Sequence, residues 1–145
     1  MKRKKIVLVA ALVGILLVMA VGCVSKTAAT VKVGGEEVAT LYSVVGERAI
    51  TGSSVSTGTD GSVTKLTYGG GTVSIDDVNE YISKLVNDDG FLITQQAQND
   101  GRGQSYQIGK GSASEGKILL IDFYFVDGGD TIITYTETAG QVTAA

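Results

Sequence analysis

The sequence predicts an α+β fold: a mostly antiparallel sheet of about five or six strands with one or two helices packed on one face. Short segments rich in β-branched and alternating apolar residues recur along the chain, and Asp-Gly pairs separate several of them. Residues 75–87 instead carry apolar side chains at helical spacing. Strands joined by tight turns form antiparallel sheets, and a helix with one apolar face packs well on such a sheet.

The start of the chain predicts an export signal or a membrane anchor. Residues 2–5 are all basic, and the apolar run that follows them, residues 6–22, contains no charged side chain. Such a run partitions into a bilayer, while its basic flank stays on the cytoplasmic side. The run ends at Cys23, which is the only cysteine of the chain.

The segment Ala20-Val21-Gly22-Cys23 resembles the lipobox of bacterial lipoproteins, in which a small or aliphatic triplet precedes an invariant cysteine. The resemblance implies that the Cys23 thiol is lipidated and that residues 1–22 are removed as a signal peptide. An uncleaved transmembrane helix stays open as the alternative, because residues 6–22 reach the lower end of the roughly 17–25 residues that span a bilayer. Either anchor places residues 24–145 on the extracytoplasmic side of the cell membrane.

The rest of the chain is long enough for one domain and too short for two. We expect residues 23–34 to be the lipidated N-terminus and a tether, although Val31 and Val33 leave a first β segment open, and residues 35–145 to form one domain. Four of the 12 basic residues lie in the leader, so eight remain against 15 acidic ones, a net charge of −7. This charge argues against a nucleic-acid partner.

The first half of the domain is predicted to contain one helix and two strands. Apolar residues at helical spacing predict a helix over residues 36–45, with Gly46 as its C-terminal cap. Strands are predicted over residues 48–55 and 63–68, and Asp60-Gly61 is a turn signal between them.

The second half begins with the clearest helix of the sequence, over residues 75–87. Ser74 is its predicted N-cap, with Asp77 at the third helical position. Tyr81 is expected at the margin of its apolar stripe, which consists of Ile75, Val78, Ile82 and Leu85.

Three or four strands are predicted after this helix. Residues 91–95 and 106–110 flank a long hairpin loop, and residues 117–126 are the most apolar segment of the domain. Both faces of that segment are largely apolar, which predicts a central strand. Residues 127–130 then make the turn into a last strand over residues 131–138.

The span from about Tyr68 to Thr136 is also similar to domains of uncharacterised lipoproteins from Gram-positive bacteria. The similarity depends on Tyr68, residues 78–82 with Leu85, Gly90-Phe91 and the terminal hairpin. These are mostly packing positions, and the resemblance implies no activity.

Composition excludes several classes of enzyme. The chain contains no histidine, and its one cysteine is the expected lipidation site. Histidine-based catalysis, a cysteine nucleophile and the usual zinc sites therefore lack their residues. We assign no catalytic, cofactor-binding or metal-binding residue, and we expect no cofactor; Cys23 is the only site residue assigned.

Two short patterns are better explained by turns than by ligand binding. Gly109-Lys110-Gly111-Ser112 lacks the first glycine of a phosphate-binding loop and has Gly111 where Ser or Thr should follow the lysine. The four Asp-Gly pairs do not match the spacing of a calcium-binding EF-hand loop, so turn chemistry explains them, although a weak and irregular calcium site on the acidic surface stays open.

Asp122 is the acidic residue that fits its surroundings least, because it interrupts the most apolar strand. A buried carboxyl has a raised pKa, which is a feature of functional carboxylates. We expect Asp122 instead to face solvent or to pair with a basic neighbour such as Lys65 or Lys117. Ser112 with Lys110 as its base is a second, weaker pairing for catalysis.

The tyrosines could line a sugar- or peptide-binding face, although tyrosine is also an ordinary residue of half-buried strands; they are residues 42, 68, 81, 106, 124 and 135. The sequence therefore predicts a lipid-anchored, extracytoplasmic protein at the cell membrane. Its domain is expected to be a non-enzymatic binding or structural module with an unidentified protein or glycan partner. The alternative is a carboxylate-dependent cell-envelope hydrolase or an inhibitor of one.

Overall fold

The computed structural model describes residues 24–59 and 61–142, together with the backbone of residues 18–20. These residues form nine strands and two helices. The strands are β1 (Val18–Ala20), β2 (Thr30–Val33), β3 (Glu36–Ala39), β4 (Ile50–Gly58), β5 (Gly61–Tyr68), β6 (Leu92–Asn99), β7 (Gln104–Gly111), β8 (Lys117–Phe125) and β9 (Thr131–Ala139). The helices are α1 (Tyr42–Val45) and α2 (Ile75–Asp88).

One sheet contains seven of the strands, in the order β1-β4-β5-β9-β8-β7-β6, and every neighbouring pair is antiparallel. Strands β2 and β3 form a separate antiparallel hairpin. The predicted α+β fold with a mostly antiparallel sheet is confirmed. Strand β8 lies between β7 and β9, so the prediction of a central strand is also correct.

The core lies on one face of the sheet. Strand β8 contributes the face that the sequence predicts, consisting of Leu119, Ile121, Phe123 and Phe125, all buried. The β2–β3 hairpin and both helices pack on that same face, through a cluster that includes Val31, Val33, Val38, Leu41, Val78, Tyr81 and Leu85. We call this side of the sheet the core face and the opposite side the outer face.

The predicted helix over residues 36–45 is wrong over most of its length. Residues 36–39 are strand β3, and only the single turn of α1 is helical. Gly34, in the left-handed region at φ 61°, makes the tight turn that lets β3 pair with β2. Val38 is buried in this hairpin. Its position therefore fits the alternation of a strand as well as the helical spacing that predicted a helix.

The predicted tether is also part of the domain rather than a free linker. Val31 and Val33 in β2 are 4% and 0% exposed, so they belong to the core. Further upstream, the Val24 backbone N–H donates a hydrogen bond of 3.2 Å to Ser53 Oγ on β4. Residues 24–34 therefore pack with residues 35–142 instead of forming a free tether.

Helix α2 matches its prediction closely. Ser74 caps it by accepting a hydrogen bond from the Asp77 N–H at 3.1 Å, and the Asp77 carboxylate accepts one from the Ser74 N–H at 3.1 Å. Tyr81 differs from the prediction, because it is fully buried instead of lying at the margin of the apolar stripe. Its ring packs edge-on against Phe123, with centroids 5.7 Å apart.

The remaining strands were predicted in the right order, with shifted ends. Strands β6 and β7 extend further into the loop between them, so the connection shortens to residues 100–103. The β4–β5 hairpin has its turn where the Asp-Gly signal predicted it, although Asp60 itself lies outside the described residues. Strand β9 pairs with both β8 and β5 and so joins the two halves of the sheet.

Candidate functional site

The expected lipidation site, Cys23, lies outside the described residues. Its neighbour Val24 lies against the core cluster and is held to β4 through Ser53. Among the residues that the structure describes, no helix is both long enough and apolar enough to cross a membrane.

A cavity of about 440 Å³ opens beside Val24, between the β2 strand and the core-face side of β4 and β5. We call it the Val24 cavity. Its lining mixes small apolar residues, hydroxyl groups and one lysine at residues Val24, Ser25, Ala28, Thr30, Val31, Lys32, Gly34, Val55, Thr57, Ser62 and Thr64. The Lys32 side chain is exposed at this site, so the cavity combines hydroxyl groups with a positive charge.

Two hydroxyl groups of the Val24 cavity have no hydrogen-bond partner among the described residues. Ser62 is 4% exposed and Thr64 is 1% exposed, and both hydroxyl oxygens are buried. Leaving a buried hydroxyl unpaired costs roughly 1–3 kcal/mol. Such groups are normally satisfied, so two unpaired hydroxyl groups on residues that line one cavity are an unusual feature.

Sequence reasoning missed Ser62 and Thr64, although a signal was present. Core-facing residues of β5 alternate along the strand, and two of these positions hold hydroxyl groups while Leu66 and Tyr68 hold apolar rings or chains. Polar residues on the buried face of a strand indicate either a hydrogen-bond network or a binding site. Thr64 lies inside the predicted strand over residues 63–68, whereas Ser62 lies one residue before it.

Asp122 lies on the outer face of β8, and its partner is an amide rather than a lysine. Gln107 Nε2 donates a hydrogen bond of 2.8 Å to Asp122 Oδ1, and Thr94 Oγ1 donates one of 3.0 Å to Gln107 Oε1. Of the two expectations for Asp122, the pairing with Lys65 or Lys117 is wrong, because the Lys117 ammonium lies 3.6 Å from Glu137 Oε1 and Lys65 is exposed. The other expectation, a position that faces solvent, is met in part, since Asp122 is half-buried on the outer face. Burial raises the pKa of Asp122, and the Gln107 hydrogen bond partly opposes this shift.

The surroundings of Asp122 do not form a pair of carboxylates. In the register of β4, β5, β7, β8 and β9, no other acidic residue shares its face on those strands. Glycoside hydrolysis by two carboxylates needs a second one about 5–9.5 Å away. The hydrogen bonds among Thr94, Gln107 and Asp122 therefore link strands β6, β7 and β8. The second carboxylate of a hydrolytic pair is absent from the same face of β4, β5, β7, β8 and β9.

Ser112 and Lys110 do not form a nucleophile and base. Lys110 Nζ lies 3.0 Å from Glu36 Oε1 and 4.9 Å from the centroid of the Phe91 ring. Ser112 Oγ instead donates a hydrogen bond of 2.7 Å to Glu137 Oε2. Glu137 is only 4% exposed, so this carboxylate is a buried polar contact between β9 and the β7–β8 loop.

The tyrosines do not form a common surface. Tyr68, Tyr81 and Tyr135 are buried in the core, with the Tyr81 and Tyr135 hydroxyl oxygens 2.7 Å apart. Tyr106 and Tyr124 point to opposite faces of the sheet, because Tyr106 is aligned with Phe123, the residue next to Tyr124 on β8. The alternative of a tyrosine-lined binding face, which the sequence left open, is therefore not supported by these five tyrosines.

In the described part of the chain, no group of three or more acidic side chains could hold a metal ion. The Val24 cavity is thus lined by two of the three buried hydroxyl groups that lack partners among the described residues, the third being Thr131 Oγ1. Asp122 is a half-buried carboxyl whose pKa is raised by burial. The chain matches no protein-family model, no curated protein and no solved structure.

Proposed function

We propose that the protein is a membrane-anchored, extracytoplasmic lipoprotein whose domain is a non-enzymatic binding module. The anchor is acylated Cys23, and the ligand-binding site is the Val24 cavity. The observation that carries the binding role is the pair of buried, unpartnered hydroxyl groups of Ser62 and Thr64 at the wall of that cavity.

The leader sequence and the position of Val24 support an anchor close to the domain. The basic residues and the apolar run end at Cys23, and the next residue already packs on the core cluster. Two or more acyl chains hold a protein stably on a membrane, whereas one chain holds it only marginally. A lipidated Cys23 therefore keeps the cavity next to the bilayer surface.

The cavity lining indicates the chemistry of its ligand. Hydroxyl groups at Ser62 and Thr64 can each donate and accept a hydrogen bond, and Lys32 adds a positive charge. A hydroxyl-rich ligand with a carboxylate, such as a peptide-bearing fragment of the cell-wall glycan, supplies complementary groups. Nucleic acid is not a suitable partner, since the charge outside the leader is −7.

The second candidate is a carboxylate-dependent hydrolase or an inhibitor of one. The observation that favours it is the raised pKa of Asp122, because general acids need a carboxyl that is protonated near the working pH. The lack of a second carboxylate on the same face of the neighbouring strands weakens it. Hydrolysis of cell-wall glycan by the purified protein, lost in Asp122→Asn, would establish this candidate over the binding role.

The anchor is tested by growing cells that express the full chain with an alkyne-bearing fatty acid. We expect the wild-type chain to be labelled and its mass to correspond to residues 23–145 plus acyl groups. The Cys23→Ala variant should carry no label and keep its leader. Label that persists in Cys23→Ala would rule out lipidation at this residue.

The cavity is tested with soluble cell-wall glycopeptide fragments as the probe, using the acylated protein in detergent. We expect Thr64→Val to weaken binding by about 3- to 10-fold, because one hydrogen bond is worth net about 1 kcal/mol. Thr67→Val is the matched control, since it makes the same change on the outer face of the same strand. Equal affinity of Thr64→Val and wild type would contradict binding in the cavity.

A further inference from the structure

The two edges of the large sheet differ in how well they can accept another strand. At one edge, the register of β6 with β7 shifts twice, between Ile93 and Gln95 and between Gln95 and Gln98. Such irregularities blunt an edge strand against pairing. At the other edge, the outermost strand is the three-residue β1, and next to it β4 pairs with β5 without interruption from Gly52 to Gly58. Strand β4 is therefore the regular edge of the sheet formed by β4 to β9.

Apart from a register shift between Ile50 and Gly52, strand β4 also lacks the usual protection of an edge strand. Its sequence, ITGSSVSTG, contains no charged residue, and the chain contains no proline. Natural edge strands are commonly protected by lysine, proline, bulges or a covering element. Here the covering element is β1, whose residues Val18, Met19 and Ala20 pair antiparallel with Thr57, Ser56 and Val55.

Strand β1 lies inside the segment that processing would remove. If residues 1–22 are cleaved, as the proposed function requires, the backbone N–H and C=O groups that face β1 lose their partners. Unpaired backbone groups on a regular strand are a template for another strand. Processing would thus convert a covered edge into a strand-accepting edge at Val55, Ser56 and Thr57.

We propose that β4 of the processed domain pairs antiparallel with β4 of a second copy, around a two-fold axis at Ser56. This inference rests on the proposed removal of the leader. In this register Ser56 faces Ser56 of the second copy, and Val55 faces its Thr57. The second copy then takes the place of β1, and the two sheets become one continuous sheet.

The sequence of β4 fits this two-fold pairing. An isologous contact must be self-complementary, and antiparallel strands satisfy this condition around a central residue. Strand β1 already demonstrates antiparallel pairing at the same three positions. The side chains there are small or β-branched, so neither face brings bulky or like-charged groups together.

The position of the anchor is also compatible with two copies on one membrane. Ser53, which holds Val24, shares the core face with Leu66 on the neighbouring strand. A two-fold axis perpendicular to the sheet keeps the core faces of both copies on one side. The two Val24 residues therefore lie on the same side, roughly 20 Å apart along the strands at about 3.4 Å per residue.

The charge of the domain opposes association in solution, and the anchor compensates for this effect. Two domains of net charge −7 repel each other, although β4 itself is uncharged. Confinement to a membrane raises the effective concentration of one copy around another. We therefore place the pairing at the membrane and test it there.

The experiment expresses the full chain with Ser56→Cys and treats the membranes with copper phenanthroline. Directly opposed residues of an antiparallel pair have Cα atoms about 4.5–5.5 Å apart, within the range that a disulfide needs. Ser54→Cys is the matched control on the same strand and face. Its two copies would lie about 14 Å apart along the strands, too far for a disulfide.

We expect the processed Ser56→Cys chain to form a disulfide-linked dimer with at least about tenfold higher yield than Ser54→Cys. Adding Cys23→Ala, which should keep the leader and β1 in place, should abolish the dimer. A processed chain that stays monomeric, or equal yields from the two cysteine variants, would overturn the pairing alone. A chain whose mass still includes the leader would overturn the proposed processing and the pairing with it.

A second pair of variants tests the same register without a cysteine, in case Ser56→Cys disturbs the fold. Ser56→Lys places two like charges directly opposite each other at the axis, which disfavours strand pairing. Ser54→Lys places the charge opposite Gly58 of the second copy instead. In chemical crosslinking on membranes, we expect Ser56→Lys to lose most of the dimer and Ser54→Lys to keep it. Retention of the dimer by Ser56→Lys would contradict the register.

Discussion

Tyr81 and Tyr135 form a short hydrogen-bond chain in the centre of the core. The Tyr81 hydroxyl donates to the Ala39 carbonyl at 2.5 Å and lies 2.7 Å from the Tyr135 hydroxyl. Because Tyr81 has only one hydroxyl proton and gives it to Ala39, Tyr135 must be the donor between the two rings. Burial raises the pKa of both tyrosines, so this chain stays protonated at physiological pH. It connects helix α2, strand β9 and the β2–β3 hairpin.

The direction of these hydrogen bonds predicts that two similar variants lose different amounts of unfolding free energy. Tyr81→Phe leaves the Tyr135 hydroxyl buried without an acceptor, and we expect a loss of about 1–3 kcal/mol in unfolding free energy. Tyr135→Phe removes one donor but leaves the Tyr81 bond to Ala39 intact, with an expected loss of about 0.5–1.5 kcal/mol. Urea unfolding of the two variants measures the difference. A larger loss for Tyr135→Phe would reverse the assigned direction.

The raised pKa of Asp122 predicts that the stability of the fold depends on pH. Since burial raises its pKa in the folded protein above the unfolded value, the folded state binds the proton more tightly. The group therefore destabilises the fold at neutral pH, and this penalty disappears as the pH falls through the folded and then the unfolded pKa. Asp122→Asn has no such titration and can still accept the Gln107 hydrogen bond.

We accordingly expect Asp122→Asn to be at least as stable as wild type at pH 7, with the advantage shrinking on acidification towards pH 4. Urea unfolding at several pH values measures this difference. A variant that becomes relatively more stable as the pH falls would show that the carboxylate is stabilised, rather than penalised, by its surroundings.

At the scale of elements, the β2–β3 hairpin is fixed to the sheet through a glycine and a buried carboxylate. A Cβ atom on Gly34 would lie 2.3 Å from the side-chain carboxyl carbon of Glu137. The carboxylate cannot simply move away, because Ser112 Oγ and Lys117 Nζ hold its two oxygens. The hairpin turn therefore packs directly against the end of strand β9.

This contact predicts that Gly34→Ala costs more than the backbone strain alone. Gly70 has the same φ of 61° but has no atom within 4 Å of an added Cβ, so Gly70→Ala measures the strain by itself. We expect Gly34→Ala to lower the unfolding free energy by at least about 1 kcal/mol more than Gly70→Ala, as overpacking does. Equal losses in thermal or urea unfolding would mean that Glu137 adapts freely.

The elements that the sequence predicted well are those that carry their own local signals. Helix α2 has a capping box, an apolar stripe and a following glycine, and strand β8 has nearly continuous apolar alternation. The segment from residue 36 to 45 misled the prediction because Val38, Leu41 and Val45 fit helical spacing while Gly34 and Gly35 turn the chain into a hairpin. There, pairing with β2 and burial decided the structure, and neither is a local property.

At the scale of the whole molecule, the fold class was predictable and the candidate site was not. The Val24 cavity exists only because β2, which belongs to the expected tether, lies across β4 and β5. The hydrogen-bond partner of Asp122 could not be predicted from the sequence either, because Gln107 lies opposite Asp122 only when β7 pairs with β8 in this register. Both sites depend on contacts between residues at least 15 positions apart in the sequence.

If Cys23 is acylated, as proposed above, the hydrogen bond between Val24 and Ser53 also limits how far the domain can move from its anchor to meet a partner. A flexible linker of twelve residues would let a domain wander by about 20 Å from its anchor. With the chain already fixed at residue 24, an acylated Cys23 leaves one residue of slack, and the domain moves only as its lipid diffuses. Encounters then occur in two dimensions, so the partner must itself lie in the membrane or within the width of one domain above it.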